Sequence, residues 1–212
     1  MRDAYLLGAA PLALAGLFGA LGLALPGLLC LAATLFVAAF FRNPPRLIPE
    51  GEDLLVAPAD GRVIEVGEIE AADGSKRQRI GIFLSVFDVH VNRAPIAGRV
   101  VSVERSGSRF LAAFDRRAET LNVRSAMRLE TAGGLRVDVV QITGLIARRI
   151  VCHPQPGEWI ARGARYGLIR FGSRTDVVLP QGSEVLVRVG DRVRGGESAL
   201  ARLARGAAEA VA

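Results

Sequence analysis

Cysteine, histidine and lysine are scarce in this 212-residue chain, and each scarcity removes a class of chemistry. The two cysteines are Cys30, inside a long apolar run, and Cys152, far along the chain, so no disulfide framework is expected. His90 and His153 are the only histidines and no cysteine pair has ligand spacing, so neither a zinc site nor any other metal is expected. A single lysine, Lys76, stands among 27 basic residues. It lies in AADGSKRQR, a polar turn without a pocket, which leaves a lysine-anchored cofactor such as pyridoxal phosphate no attachment point.

Charge is absent from Tyr5 to Phe41, a run longer than the ~20 residues that cross a bilayer as one helix. Gly22 to Gly27, with Pro26 inside, offers a break, and the run reads as two short membrane helices, Leu6 to Leu21 and Leu28 to Phe41. A secretory signal is the competing reading, but the stretch is too long and lacks a small-residue cleavage site. Arg2 precedes the run and Arg42 and Arg46 follow it, so a hairpin has both ends in the cytoplasm and the polar part faces the cytosol. One tilted span with the domain outside is the alternative, since Asp3 offsets Arg2. The net charge of +6 suits an anionic surface, and beside such an anchor anionic lipid is a better partner than nucleic acid; a solvated basic face is the plainer explanation.

The proline-rich segment FRNPPRLIPEGEDLL reads as a linker. The expected organisation is an anchor over 1–41, a linker over 42–53 and a domain over 54–212. In that domain the apolar period becomes two, and Arg62 to Val66, Arg79 to Leu84, Gly98 to Glu104, Ala126 to Glu130, Leu135 to Thr143, Ala147 to His153 and Glu184 to Val189 read as strands. Gly133-Gly134 marks a hairpin, and Ser108 to Leu121 is the one helix candidate, with Phe110, Leu111, Phe114 and Leu121 on an apolar face. Gly157 to Gly163 is echoed by Gly190 to Gly196 in the form G-[ED]-x-[IV]-x-x-G, and Pro58 to Gly67 by Pro180 to Gly190. Such hairpins resemble those of lipoyl and biotinyl domains, so the expected fold is mainly β, a lipoyl-like barrel-sandwich domain behind a helical membrane hairpin.

Three turn-bound stretches hold chemistry: Asp60 in PADG, His90 in DVHVNR and Ser173 in FGSRTD. Each alone is a common pattern; together they supply an acid, a base and a nucleophile. Ser173 lacks the G-x-S-x-G frame of a nucleophile elbow, but it follows Gly172, whose carbonyl no side chain shields. That arrangement suits an N-to-O acyl shift in which His90 takes the hydroxyl proton and Asp60 orients His90.

FFRNPPR, APADGRV, FDVHVNRAPIAGRV, ARRIVC and GLIRFGSRTDVVLP, in this order from Phe40 to Pro180, resemble the phosphatidylserine decarboxylase proenzymes, in particular the short branch with a Gly-Ser-Arg processing site. Val86, where many relatives have proline, and His153, where an aromatic residue is commoner, are local departures. The resemblance implies self-cleavage between Gly172 and Ser173, conversion of Ser173 to a pyruvoyl group, and Asp60 and His90 as its partners. It also implies decarboxylation of phosphatidylserine to phosphatidylethanolamine through a Schiff base with that group. The partners it implies are the lipid and the chain's own second fragment, with room for a higher homo-oligomer, and the site is the inner face of a bacterial cytoplasmic membrane. A protein-derived carbonyl fits a chain with one lysine, because it supplies an electron sink without pyridoxal phosphate. Arg93 and Arg174, each within three residues of a central group, are candidates for binding the phosphate and carboxylate, or else structural ion-pair partners. A non-enzymatic membrane adaptor with a lipoyl-like barrel is the rival reading, and it leaves Asp60, His90 and Ser173 without a role.

Overall fold

A computed structural model describes residues 2–70, 74–115, 117–145, 149–169 and 172–204. The chain forms two compact units, 1–44 and 45–212. The first is a pair of helices, α1 (Arg2–Ala20) and α2 (Ala24–Phe40), joined at Gly22, whose φ of 71° needs a residue without a side chain. The break takes only the start of the expected Gly22 to Gly27 stretch, because Pro26 sits in the first turn of α2, where a missing N–H leaves no helical bond unmade. Along both helices leucines such as Leu12, Leu17, Leu25, Leu28 and Leu35 are exposed. Among the described residues no helix is long and apolar enough to cross a membrane.

The second unit is mainly β. Its strands are β1 (Leu54–Val56), β2 (Gly61–Glu70), β3 (Lys76–Leu84), β4 (Val91–Arg93), β5 (Gly98–Ser106), β6 (Arg124–Glu130), β7 (Arg136–Ile142), β8 (Ile150–Cys152), β9 (Trp159–Ile160), β10 (Arg165–Ile169), β11 (Ser173–Val178), β12 (Glu184–Val185), β13 (Arg192–Val193) and β14 (Ala199–Arg202). A curled eight-stranded antiparallel sheet runs β13-β2-β3-β11-β7-β6-β5-β9, and two three-stranded sheets run β1-β14-β12 and β4-β10-β8. Period-two alternation turns one face of the large sheet inward. One row of facing residues, Val66, Ile80, Val177, Val139, Met127 and Val103, crosses six strands. Each large apolar side chain fully buried there contributes about 1.5–3 kcal/mol.

The expected hairpin is present: β6 and β7 pair from Glu130↔Arg136, with Gly134 at φ 76° in the turn. The expected helix over Ser108 to Leu121 shrinks to α3 (Ala118–Leu121). Its first part is irregular instead, because the Asn122 side chain accepts from Leu111 N and donates to Leu111 O, while Phe114 is exposed rather than part of a buried face. The strand expected over Glu184 to Val189 is two residues long, and Ile150–Cys152 is the described strand within Ala147 to His153, Ala147 lying outside the described residues.

The two G-[ED]-x-[IV]-x-x-G segments carry β9 and β13, the outer strands of the large sheet. Each pairs with the head of a strand opened by P-x-x-G-R-V: β13 with Gly61 and Arg62, β9 with Gly98 and Arg99. The other echo does not hold, because β2 has ten residues and lies in the large sheet while β12 has two and lies in a small one. At both strand heads the glycine admits a neighbouring carbonyl: a Cβ on Gly61 would lie 2.1 Å from Phe83 O, and one on Gly98 2.7 Å from Glu130 O. Gly98→Ala should therefore destabilise the domain by about 1–3 kcal/mol, read as a lower denaturant midpoint at unchanged slope.

Candidate active site

Ser173 opens β11, the strand hydrogen-bonded to β3 on one side and β7 on the other, and all six of its residues are buried. Its inward face becomes polar toward this end. Val177 lies in the apolar row; Thr175 faces Ile82 and Gln141; Ser173 faces Leu84. The Ser173 Oγ is buried and has no hydrogen-bond partner among the described residues, a condition that costs about 1–3 kcal/mol. Immediately before it Gly172 has φ 61°, with nothing among the described residues within 4 Å of where a Cβ would be.

His90 reaches this end of the sheet through the β3–β4 connection. Leu84 pairs with Ser173, the chain turns through Ser85 to Asp88, and β4 then pairs with β10, with Ile169 N donating to His90 O at 3.4 Å. The His90 ring is buried and its Nδ1 lies 2.9 Å from Asp88 O. A carbonyl only accepts, so Nδ1 carries the hydrogen and Nε2 of the neutral ring holds the lone pair. The Asp88 carbonyl thus sets the tautomer, a role expected of Asp60.

Asp60 is tied elsewhere. Arg46 donates to both its carboxylate oxygens, at 2.9 and 2.8 Å, and Gly195 N donates to it at 2.8 Å. Arg46 also faces Glu197 at 3.6 Å, and the Arg93 guanidinium donates to Gly163 O at 2.9 Å within the field of this group. Burial first, then Arg46 and Arg165, lowers the pKa of Arg93, against Asp60 and Glu197. Among the described residues Arg46, Arg93, Arg165 and Arg194 outnumber Asp60 and Glu197 there, which leaves positive charge in surplus.

Arg174, the other arginine expected to bind substrate, points to the face opposite Ser173. Its Nε donates to Asp176 at 2.5 Å, Nη2 to Glu65 at 2.6 Å, and Nη1 lies 3.0 Å from Glu119. Arg79 pairs with Glu65 and lies 2.6 Å from Glu119. Gly81 leaves room for this guanidinium, since a Cβ there would lie 2.7 Å from Arg174 Nη2. Arg174 is a buried ion-pair partner.

Three polar residues in the core had no expected role. Gln141 Nε2 donates to Asn92 Oδ1 at 2.8 Å, and Asn92 Nδ2 to Thr175 Oγ1 at 3.4 Å, one register step from Ser173. Their signal in the sequence was a glutamine and an asparagine at inward positions of valine-rich strands. A cleft of about 410 Å³ lined by Trp159, Arg162 and Leu203 contains none of these site residues. Among the described residues no group of three or more His, Cys, Asp or Glu could hold a metal ion.

Residues 33–201 match the family of phosphatidylserine decarboxylases. A phosphatidylserine decarboxylase proenzyme of Geobacter sp. (strain M21) is 48% identical over 190 residues, 89% of this chain and 87% of the relative. Those of Pelobacter propionicus and Symbiobacterium thermophilum are each 51% identical, over 80% and 87% of this chain and 78% and 84% of the relatives.

Three carboxylates share two guanidiniums behind Ser173, and the most buried of them bears the surplus. Burial pushes Asp176 up to about 6 despite Arg174 and Arg79, while for Glu65 the hydrogen bonds from Arg79 and Arg174 outweigh burial and bring it to about 2. An unfolded aspartate has lost its proton by about pH 4, whereas folded Asp176 keeps it to about 6. Its stabilising contribution is thus present below the unfolded value and lost as pH rises through about 6. From pH 4 to 7 the wild type should lose on the order of 2 kcal/mol relative to Asp176→Asn, measured by denaturant unfolding across that range.

Proposed function

The chain belongs to the phosphatidylserine decarboxylase family, and from that membership we propose that it cuts itself between Gly172 and Ser173 and converts Ser173 into its own pyruvoyl cofactor. The reaction is decarboxylation of phosphatidylserine to phosphatidylethanolamine. The observation that carries the reading is Ser173 itself: a buried hydroxyl without a partner, joined to a left-handed glycine, at the head of a central strand.

Maturation follows from these groups. The Ser173 Oγ, giving its proton to His90 Nε2, attacks the Gly172 carbonyl carbon; the C–N bond then breaks, the Ser173 nitrogen takes a proton, and an ester joins Gly172 to the Ser173 oxygen. Loss of the Ser173 Cα proton expels the Gly172 carboxylate and leaves dehydroalanine, which tautomerises to an imine; water adds, and ammonia leaves. The carbonyl so formed would supply an electron sink for the electron pair left behind when CO2 departs. His90 then returns a proton to the carbon that lost the carboxyl. Asp60 belongs to this set by holding the turn ahead of Gly61 through Arg46 and the Gly195 amide, with the Asp88 carbonyl orienting His90. Arg93, where positive charge is in surplus, takes the lipid phosphate.

Cleavage leaves a two-chain enzyme. β11 lies between β3 and β7, β13 pairs with β2, and β14 pairs with β1, so strands from the two sides of the bond are hydrogen-bonded to each other in both sheets. The hairpins at Gly157 and Gly190 support a lipoyl-like barrel-sandwich as the description of this half. Membrane attachment is read from the leucine-covered helix pair, which enters the cytoplasmic membrane with both ends on the cytosolic side, in keeping with Arg2, Arg42 and Arg46. The exposed Phe87, Phe114 and Leu145, on connections beside His90 and Ser173, suit a rim that meets lipid.

Mass spectrometry of purified protein should find a chain ending at Gly172 and a smaller one that begins at position 173, resists Edman degradation and weighs one ammonia less than its serine form. Ser173→Ala should stay a single inactive chain; an active uncut polypeptide rejects the proposal. His90→Ala should slow maturation by about 10²–10⁴-fold, followed by gel densitometry of the fragments.

A further inference from the structure

The loops that carry Ala113 and Gly144 come together at the Gly172–Ser173 bond. Among the described residues nothing lies within 4 Å of where a Gly172 Cβ would be, and its backbone angle is one that only glycine adopts easily. The carbonyl side is different. A Cβ built on Gly144 would lie 2.0 Å from Gly172 O, 3.1 Å from Gly172 C and 3.3 Å from Ala113 Cβ. Gly144 lets the carbonyl lie directly against its backbone.

Gly144 is itself held. Thr143, its predecessor, donates N–H and Oγ1–H to Val123 O at 3.0 and 2.9 Å, and its carbonyl accepts from Asn122 Nδ2 at 2.8 Å. The same Asn122 amide is bonded to both backbone groups of Leu111, at 2.7 and 2.9 Å, which fixes the strand of chain leading to Ala113. Asn122 is fully buried. One side chain therefore locks two loops around one carbonyl.

We infer that Gly144, braced by Asn122, is a positioning residue for self-cleavage: it holds the Gly172 carbonyl in the orientation that the Ser173 hydroxyl attacks. The inference rests on the assignment of Gly172–Ser173 as the scissile bond. An added methyl at Gly144 has to displace the carbonyl, and a displacement of about 1 Å at a reacting group slows a reaction about 10²-fold.

The test uses the full-length proenzyme, purified uncut after rapid expression, with fragment release followed in the presence and absence of hydroxylamine. Hydroxylamine attacks the ester carbonyl, so wild type should release fragments faster and yield a large chain ending in the Gly172 hydroxamate. Gly144→Ala should keep a cooperative thermal transition yet mature about 10²-fold more slowly, with no acceleration by hydroxylamine because the ester does not form. Asn122→Asp, which keeps the acceptor for Leu111 N and loses both donations, should be slowed in the same step, and it decides the matter if Gly144→Ala is not recovered folded. A folded Gly144→Ala that forms the hydroxylamine-sensitive ester at the wild-type rate overturns the inference, as does Asn122→Asp at that rate where it is the deciding variant. If the wild-type small chain does not begin at position 173, it is the scissile-bond assignment that fails.

Discussion

The backbone ladder on both sides of Ser173–Val178 is the constraint on which the site depends. Arg174 to Val178 are paired with β7 and Ser173 to Val178 with β3, so the strand can neither slide nor peel away without breaking two rows of bonds. Ser173 is thereby held at the sheet's end with its hydroxyl buried. The same pairing ties the strands before and after Gly172 into one folded body.

The two faces of that strand do different work. On the inward face the residues pass from Val177 through Thr175 to Ser173, and the core changes from hydrocarbon to the amides of Gln141 and Asn92. On the other face Arg174 and Asp176 are locked with Glu65, Arg79 and Glu119, taken from β2, β3 and α3. An arginine this buried, bonded to three carboxylates, is costly to lose because its partners would be left charged and unpaired. It anchors the strand by the residue next to Ser173, on the opposite face.

Much of the fold was legible because alternation is a local property. Ile80, Ile82 and Leu84, or Val137 and Val139, declare an inward face by spacing alone, and Gly133-Gly134 declares a turn. Ser108 to Leu121 misled because its apolar spacing fits a helix, while the Asn122 side chain offers its backbone a better set of bonds. β11 escaped notice because SRTDVV mixes charge with valine, and only the ion pairs behind it make burial of Arg174 and Asp176 tolerable.

By itself the sequence determined that the chain is a helix pair followed by a β domain, and it singled out Asp60, His90, Gly172 and Ser173 as candidates, because turn propensity, periodicity and motif order are written along the chain. Only the tertiary structure decided what those residues touch. His90 takes its tautomer from Asp88, Asp60 is held by Arg46 and Gly195, and the Gly172 carbonyl lies against Gly144, 28 positions away in the numbering. Partners of this kind depend on strand register and loop packing, which arise from many weak contacts acting together and leave no mark in any one stretch of sequence.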